Sequence, residues 1–234
     1  MQITWLGHSG FRIAIADQVL LIDPWLTGNP AFASAREAEA ITGATAILIT
    51  HAHGDHFTDA VRLSALTNAP ILAGHEIAEV IDYDGTGTAI GFARGGTVAV
   101  GDVKVSMVPA SHSNSFDNTP GNLRVAGAEC GYMIAGEGHV IYVTGDTGIM
   151  ADMGWMGEYY APDIGILCAG GHYTMDMAGA AWAAKRFFDF KTVIPCHYKT
   201  FGILAQSADV LVAGLPGVQV LTPAVMELVE IATK

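Results

Sequence analysis

The sequence predicts a mixed α and β fold, and two observations carry that reading. Strand-like runs crowd the first part of the chain and later alternate with helical patterns. The densest group of metal-ligating residues, His51-Ala52-His53-Gly54-Asp55-His56, follows directly on the apolar, β-branched run Ala44 to Thr50. Periodicity alone gives no more than this class, mixed α and β.

Alternating or β-branched apolar runs predict strands at 2–6, 11–15, 18–22, 44–50, 97–100, 103–109, 131–135, 139–144, 163–168, 192–195, 218–221 and 226–231. Helical spacing predicts helices at about 57–67, 75–82, 175–188 and 203–213, with Thr174 as an N-cap and Gly214 as a stop. Gly136-Glu137-Gly138 separates two runs as a hairpin turn does. No linker, repeat or low-complexity tract divides the 234 residues, so a single domain over 1–234 is expected.

Composition narrows the function. The chain carries 11 basic and 23 acidic residues, a formal net charge of −12. A protein that engages nucleic-acid phosphates needs a basic footprint, and here Lys and Arg are scattered, so a nuclease is not expected. Cys130, Cys168 and Cys196 are an odd number, each within or beside an apolar run, and read as buried thiols in a reducing compartment. No basic leader followed by a long apolar stretch is visible, and no membrane span. The expectation is a cytoplasmic protein acting on a small molecule, with neither nucleic-acid nor membrane partner.

The His-rich segment sits where a strand ends. His51 and His53 project to one side of an extended segment and can grip one ion, whereas Asp55 and His56, as neighbours, diverge toward a second position. Further candidates stand at later strand ends. His112 follows the run Val103 to Pro109, Asp146 ends His139 to Gly145, and His197 ends Thr192 to Cys196. An early Asp, in Leu21-Ile22-Asp23-Pro24, closes another apolar run.

His-x-His-x-Asp-His after a strand, followed in order by these residues, resembles the metallo-β-lactamase superfamily over essentially the whole chain. Trp5-Leu6-Gly7-His8-Ser9-Gly10-Phe11, Asp23-Pro24-Trp25-Leu26-Thr27-Gly28-Asn29-Pro30, Gly170-Gly171-His172-Tyr173-Thr174-Met175-Asp176 and Pro195-Cys196-His197-Tyr198-Lys199-Thr200-Phe201 look like its small metal-dependent hydrolase branch, related to L-ascorbate-6-phosphate lactonase. The chain lacks the lactonases' extensions, so their substrate does not carry over. The resemblance implies a four-layer αββα sandwich. It also implies a first metal on His51, His53 and His112, a second on Asp55, His56 and His197, and Asp146 as the bridge. Asp23 would orient the cluster, as carboxylates behind metal-bound imidazoles do.

Imidazoles and carboxylates without thiolates suit two divalent ions, zinc or manganese first, with Fe, Ni and Co as further candidates. Such a pair holds a hydroxide between the ions as nucleophile, which implies hydrolysis of an ester-like bond, a lactone or a phosphodiester. The alternative is a redox protein of the di-iron or persulfide dioxygenase kind on the same fold. Flavin-linked di-iron relatives carry Glu at the position of His53, so His53 favours hydrolysis. A non-catalytic metal sensor is a third reading.

Three residues are catalytic candidates: Asp55 through the second metal, His8 after the first strand, and His172 after Gly170-Gly171 as a general acid to the leaving group. His75 and His139 read as surface residues, and Tyr198 as either pocket wall or core. Met150, Met153 and Met156 with Trp155, Tyr159 and Tyr160 form a segment rich in residues favoured at interfaces. With 51% apolar and only 15% charged residues, a homo-oligomer is expected.

Overall fold

Within each of two seven-stranded sheets, antiparallel hairpins give way to parallel strands, and the candidate site residues stand where strands end. The computed structural model describes residues 1–85, 87–116 and 123–234. The first sheet holds β1 (Gln2–Gly7), β2 (Gly10–Ile15), β3 (Gln18–Ile22), β4 (Ala46–Leu48), β5 (Ile71–Gly74) and β6 (Ala89–Phe92) in sequence order, with β16 (Leu228–Glu230) beyond β1. The second holds β7 (Thr97–Val100), β8 (Val103–Pro109), β11 (Cys130–Gly136), β12 (His139–Val143), β13 (Ile164–Cys168), β14 (Thr192–Cys196) and β15 (Gln219–Val220), again in sequence order. In the first sheet pairing is antiparallel up to β3 and parallel from β3 to β6; in the second it is antiparallel up to β12 and parallel from β12 to β15. A small hairpin, β9 (Ser115–Phe116) with β10 (Arg124–Val125), lies outside both.

Period-two alternation decides which side chains meet. Leu20, Ile22, Ala46 and Leu48 pack with Tyr132, Ile134 and Ile141 of the second sheet, while the intervening Leu21 and Ile47 pack with Leu63 and Ile77. Leu63 and Ile77 belong to α3 (Ala60–Thr67) and α4 (His75–Tyr83), so helices cover the outer face of the first sheet. On the second sheet, α5 (Met153–Tyr160) and α6 (Met177–Phe187) contribute Met153, Met156, Ala180 and Ala184 to the core. The arrangement is the expected αββα sandwich. Among the described residues no helix is long and apolar enough to cross a membrane.

Several local expectations need correction. β5, β6, α1 (Glu37–Ile41) and α5 were not predicted. The helix expected over 57–67 is two: α2 (Gly54–Phe57) and α3. The chain breaks between them at Asp59, whose carboxylate is committed to the Leu26 and Thr27 amides at 2.7 and 2.6 Å. Asp55 and His56 therefore stand inside a helical turn rather than ahead of one. The cap of α6 is Asp176, which accepts the Gly179 amide at 2.6 Å, and not Thr174. The helix expected over 203–213 shortens to α7 (Asp209–Gly214). His139 is buried, not a surface residue: it faces Asp163 at 2.7 Å and the Ala232 carbonyl at 2.8 Å. His75 is exposed as expected, and Tyr198 belongs to the core, stacked on Trp5. All three cysteines are buried free thiols.

Candidate metal centre

Strand ends deliver the cluster because a buried strand fixes the residue that follows it. Thr50, just beyond β4, donates its amide to Asp23 Oδ1 at 2.8 Å and its hydroxyl to Asp23 Oδ2 at 2.6 Å. Asp23 Oδ2 also accepts from His56 Nδ1 at 2.8 Å. The early carboxylate thus ties the end of β3 to the end of β4 and to α2. The second sheet grips the same point: Cys130 N donates to the Thr50 carbonyl at 3.1 Å, and the buried Tyr132 hydroxyl donates to the Ile49 carbonyl at 2.6 Å.

Flanking polar residues fix the rest. Asn114 accepts the Ala52 amide at 2.9 Å and donates to the Ala126 carbonyl at 3.0 Å, clamping the segment between His51 and His53. Glu129 accepts the His112 amide at 3.0 Å. Gly145, at φ +59°, lets the chain turn into Asp146; a Cβ there would come within 2.6 Å of the Cys130 carbonyl and 2.8 Å of Thr50 Cβ. His8, Asp23 and His197 also adopt positive φ, at +52°, +41° and +58°. Non-glycine residues held this way store strain that surrounding structure must impose, and such residues concentrate at functional sites.

The side chains then converge. His51 Nε2 and His53 Nδ1 are 3.0 Å apart, and ligand atoms of His51, His53 and His112 lie within 4.8 Å of one another. So do those of His51, His56 and Asp146, and those of His8, Asp55, His56 and His197. Asp146 Oδ2 reaches across the cluster: it is 3.0 Å from His197 Nε2, 3.5 Å from His56 Nε2 and 3.7 Å from His112 Nε2. All seven residues expected as ligands are therefore brought together, and His8 joins them.

Charge in the cluster is uneven. Burial works against a proton on His56, but the carboxylates of Asp146, Asp23 and Asp55 outweigh it and raise its pKa well above the ordinary value. Burial pushes Asp146 up, yet His56 and His197 hold it well below the usual carboxylate range. Asp55 is likewise lowered, burial being overcome by His56 and by the hydrogen bond with His8. Burial lowers His51, His112 and His8, with neighbouring imidazoles adding to the effect. Among the described residues, the buried atoms His56 Nε2 and Asp146 Oδ1 have no hydrogen-bond partner. A buried polar atom left unpaired is costly, and a cation answers both. The donor set, imidazoles and carboxylates, fits divalent ions such as Zn²⁺ or Mn²⁺.

A cavity of about 480 Å³ opens over the cluster, lined by His53, Asp55, His112, Asp146 and His197 and walled by Ser113, Tyr173 and Phe201. Sequence reasoning missed these three wall residues. Phe201 continues an aromatic surface through Trp25, with ring centroids 6.0 Å apart. His172 is exposed and packs its ring against Tyr173; Tyr173 lines the cavity and His172 does not. Gly170 instead serves close packing, lying directly against the His197 carbonyl, and Gly171 takes φ +70°.

A ring of imidazoles and carboxylates at the strand ends of an αββα sandwich defines the metallo-hydrolase class. Residues 18–198 match the beta-lactamase superfamily domain. A UPF0173 metal-dependent hydrolase of Paracoccus denitrificans is 61% identical over 227 residues, covering 97% of this chain and 98% of that protein. Another, from Cereibacter sphaeroides, is 58% identical over 231 residues, covering 99% and 100%. The solved structure of Igni18, a metallo hydrolase from Ignicoccus hospitalis, superposes with a TM-score of 0.82 at 33% identity, covering 99% of both chains. The chain belongs to the beta-lactamase superfamily and, within it, to the UPF0173 metal-dependent hydrolases.

Proposed function

We propose that this metal-dependent hydrolase is binuclear and cleaves an ester-like bond, in a lactone or a phosphodiester, of a small molecule in the cytoplasm. The observation that carries the reading is the position of Asp146 Oδ2, within 3.0–3.7 Å of imidazoles on both sides of the cluster. His51, His53 and His112 would hold one ion, Asp55, His56 and His197 the other, and Asp146 both. When bound, two such ions make water acidic enough to attack near neutral pH and polarise the oxygen of the attacked carbonyl or phosphoryl group.

The chain's own residues do the rest. Asp23 and Thr50 fix the rings of His56 and His51, so the site needs little rearrangement to bind. Tyr173 and Phe201 line the cavity with aromatic rings suited to an apolar part of the substrate, and Ser113 adds a hydroxyl to its wall. In the overall reaction the hydroxyl of water joins the carbonyl carbon or the phosphorus, the bond to the leaving oxygen breaks, and that oxygen takes up water's other proton to become the alcohol.

The test is a screen of lactones, carboxylic esters and phosphodiesters on protein loaded separately with Mn²⁺, Zn²⁺, Ni²⁺ and Fe²⁺. Turnover with a colourless Zn or Mn form supports the reading. Inactivity of every form on every substrate, together with oxygen consumption by the iron form, would replace it with the redox alternative.

A further inference from the structure

His8 stands outside the seven residues assigned above, yet it is built like the imidazoles among them. Its side chain is fully buried, and each ring nitrogen has one partner: Nδ1 is 2.9 Å from Thr200 Oγ1 and Nε2 is 2.8 Å from Asp55 Oδ2. Ligand atoms of His8, Asp55, His56 and His197 all lie within 4.8 Å of one another, and the His8 ring centroid is 4.1 Å from that of His197 and 6.1 Å from that of His56. With Nδ1 donating to the Thr200 oxygen, Nε2 is free to give its lone pair to an ion shared with Asp55.

The same anchoring recurs at two expected ligands. Thr50 donates its hydroxyl proton to Asp23 and sits 3.0 Å from His51 Nδ1, while His56 Nδ1 is held by Asp23. In all three rings Nδ1 is tied to an oxygen and Nε2 is turned into the cluster, the arrangement that fixes a metal-bound imidazole. The His8 backbone is braced for the task. At φ +52° its carbonyl accepts from the His197 amide at 3.0 Å and from Trp5 Nε1 at 2.9 Å.

From this geometry we infer that His8 is a direct ligand of the second metal, through Nε2, beside Asp55, His56, His197 and the shared Asp146. The inference rests on the two-metal reading above. It makes the two seats unequal. His51, His53, His112 and Asp146 suit a four-coordinate ion such as zinc, whereas the richer second set favours ions that accept five or six donors, such as Mn²⁺, Fe²⁺ or Co²⁺.

Cobalt titration of the wild type and His8→Gln tests this. Glutamine keeps an amide that can donate to Asp55 but removes the imidazole. Calorimetry should show one Co²⁺ bound as in the wild type and the other weakened by about tenfold or more, with a change in the visible d–d bands of the two-cobalt protein. If both ions bind within twofold of wild type and the bands do not move, His8 only orients Asp55, and the inference falls while the two-metal reading stands. If the wild type takes up a single Co²⁺, both fall. Should His8→Gln fail to fold, proton NMR of the two-cobalt wild type decides. It should show one more exchangeable, hyperfine-shifted ring N–H than His51, His53, His56, His112 and His197 supply, and finding no extra resonance would overturn the assignment.

Discussion

Asp23 Oδ2 accepts a 2.8 Å hydrogen bond from His56 Nδ1, joining the end of the third strand to a ring of the imidazole and carboxylate cluster. Asp23 also takes both the amide and the hydroxyl of Thr50, so three donors depend on one carboxylate. Asp23→Asn exchanges one acceptor oxygen for a donor, and one of these bonds must be lost. Affinity for the ion held by His56 should drop by about 10–100-fold. Calorimetric metal titration checks it, and unchanged affinity would show that the ring is held by packing alone.

Asp59 anchors the loop that carries Trp25, whose ring centroid lies 6.0 Å from that of the cavity residue Phe201. Its carboxylate accepts from Leu26 N, Thr27 N, Thr27 Oγ1 and the Arg62 guanidinium. Burial opposes ionisation, but these bonds outweigh it and lower its pKa. A lowered folded-state pKa adds stability above the unfolded value of about 3.9, and that stability is lost as pH falls through the folded value. Wild type should therefore lose more stability between about pH 5 and pH 2 than Asp59→Asn does. At pH 7 the variant should be weaker by about 1–3 kcal/mol. Parallel pH profiles in thermal melts would discard the argument.

Tyr173, rather than its neighbour His172, lines the cavity over the cluster. His172→Ala should leave turnover nearly unchanged for both good and poor leaving groups, and Tyr173→Ala should raise KM with little change in kcat. A loss for His172→Ala confined to poor leaving groups would restore His172 as the general acid.

The strands that carry ligands were legible because each is an apolar run ending in a chemically distinctive residue, as in Ile47 to His51 or Ile141 to Asp146. β5 and β6 escaped because each is short and carries a glycine, Gly74 and Gly91, that interrupts the apolar pattern, and β6 is not buried on either face. α5 escaped because two glycines and three aromatics in Met153 to Tyr160 obscure helical spacing, although Met153 and Met156 do enter the core. The burial of His139 and the place of His8 beside Asp55 depend on partners far along the chain, Asp163 and Ala232 for one, Thr200 and Asp55 for the other. Local pattern holds no signal for such contacts. The cavity wall is hidden for the same reason, since Ser113, Tyr173 and Phe201 come from three separate loops.

Trp155 and Tyr159 remain 42% and 77% exposed on α5, while Met153 and Met156 of the same helix are buried. Large exposed aromatics on one helix are the kind of side chain that interfaces enclose. The expected homo-oligomer should give a mass above that of one chain by light scattering at micromolar concentration, and Trp155→Glu should reduce it. A monomer mass for the wild type contradicts this, and an oligomer that survives the substitution moves the interface elsewhere.

The central claim is that Asp146 is shared by two ions. Native mass spectrometry of the metal-loaded protein measures this directly. Two ions per chain are predicted for the wild type, and Asp146→Ala should weaken retention of both, since it removes the one ligand they have in common. A single tightly bound ion in the wild type, or loss of only one in Asp146→Ala, would contradict the account.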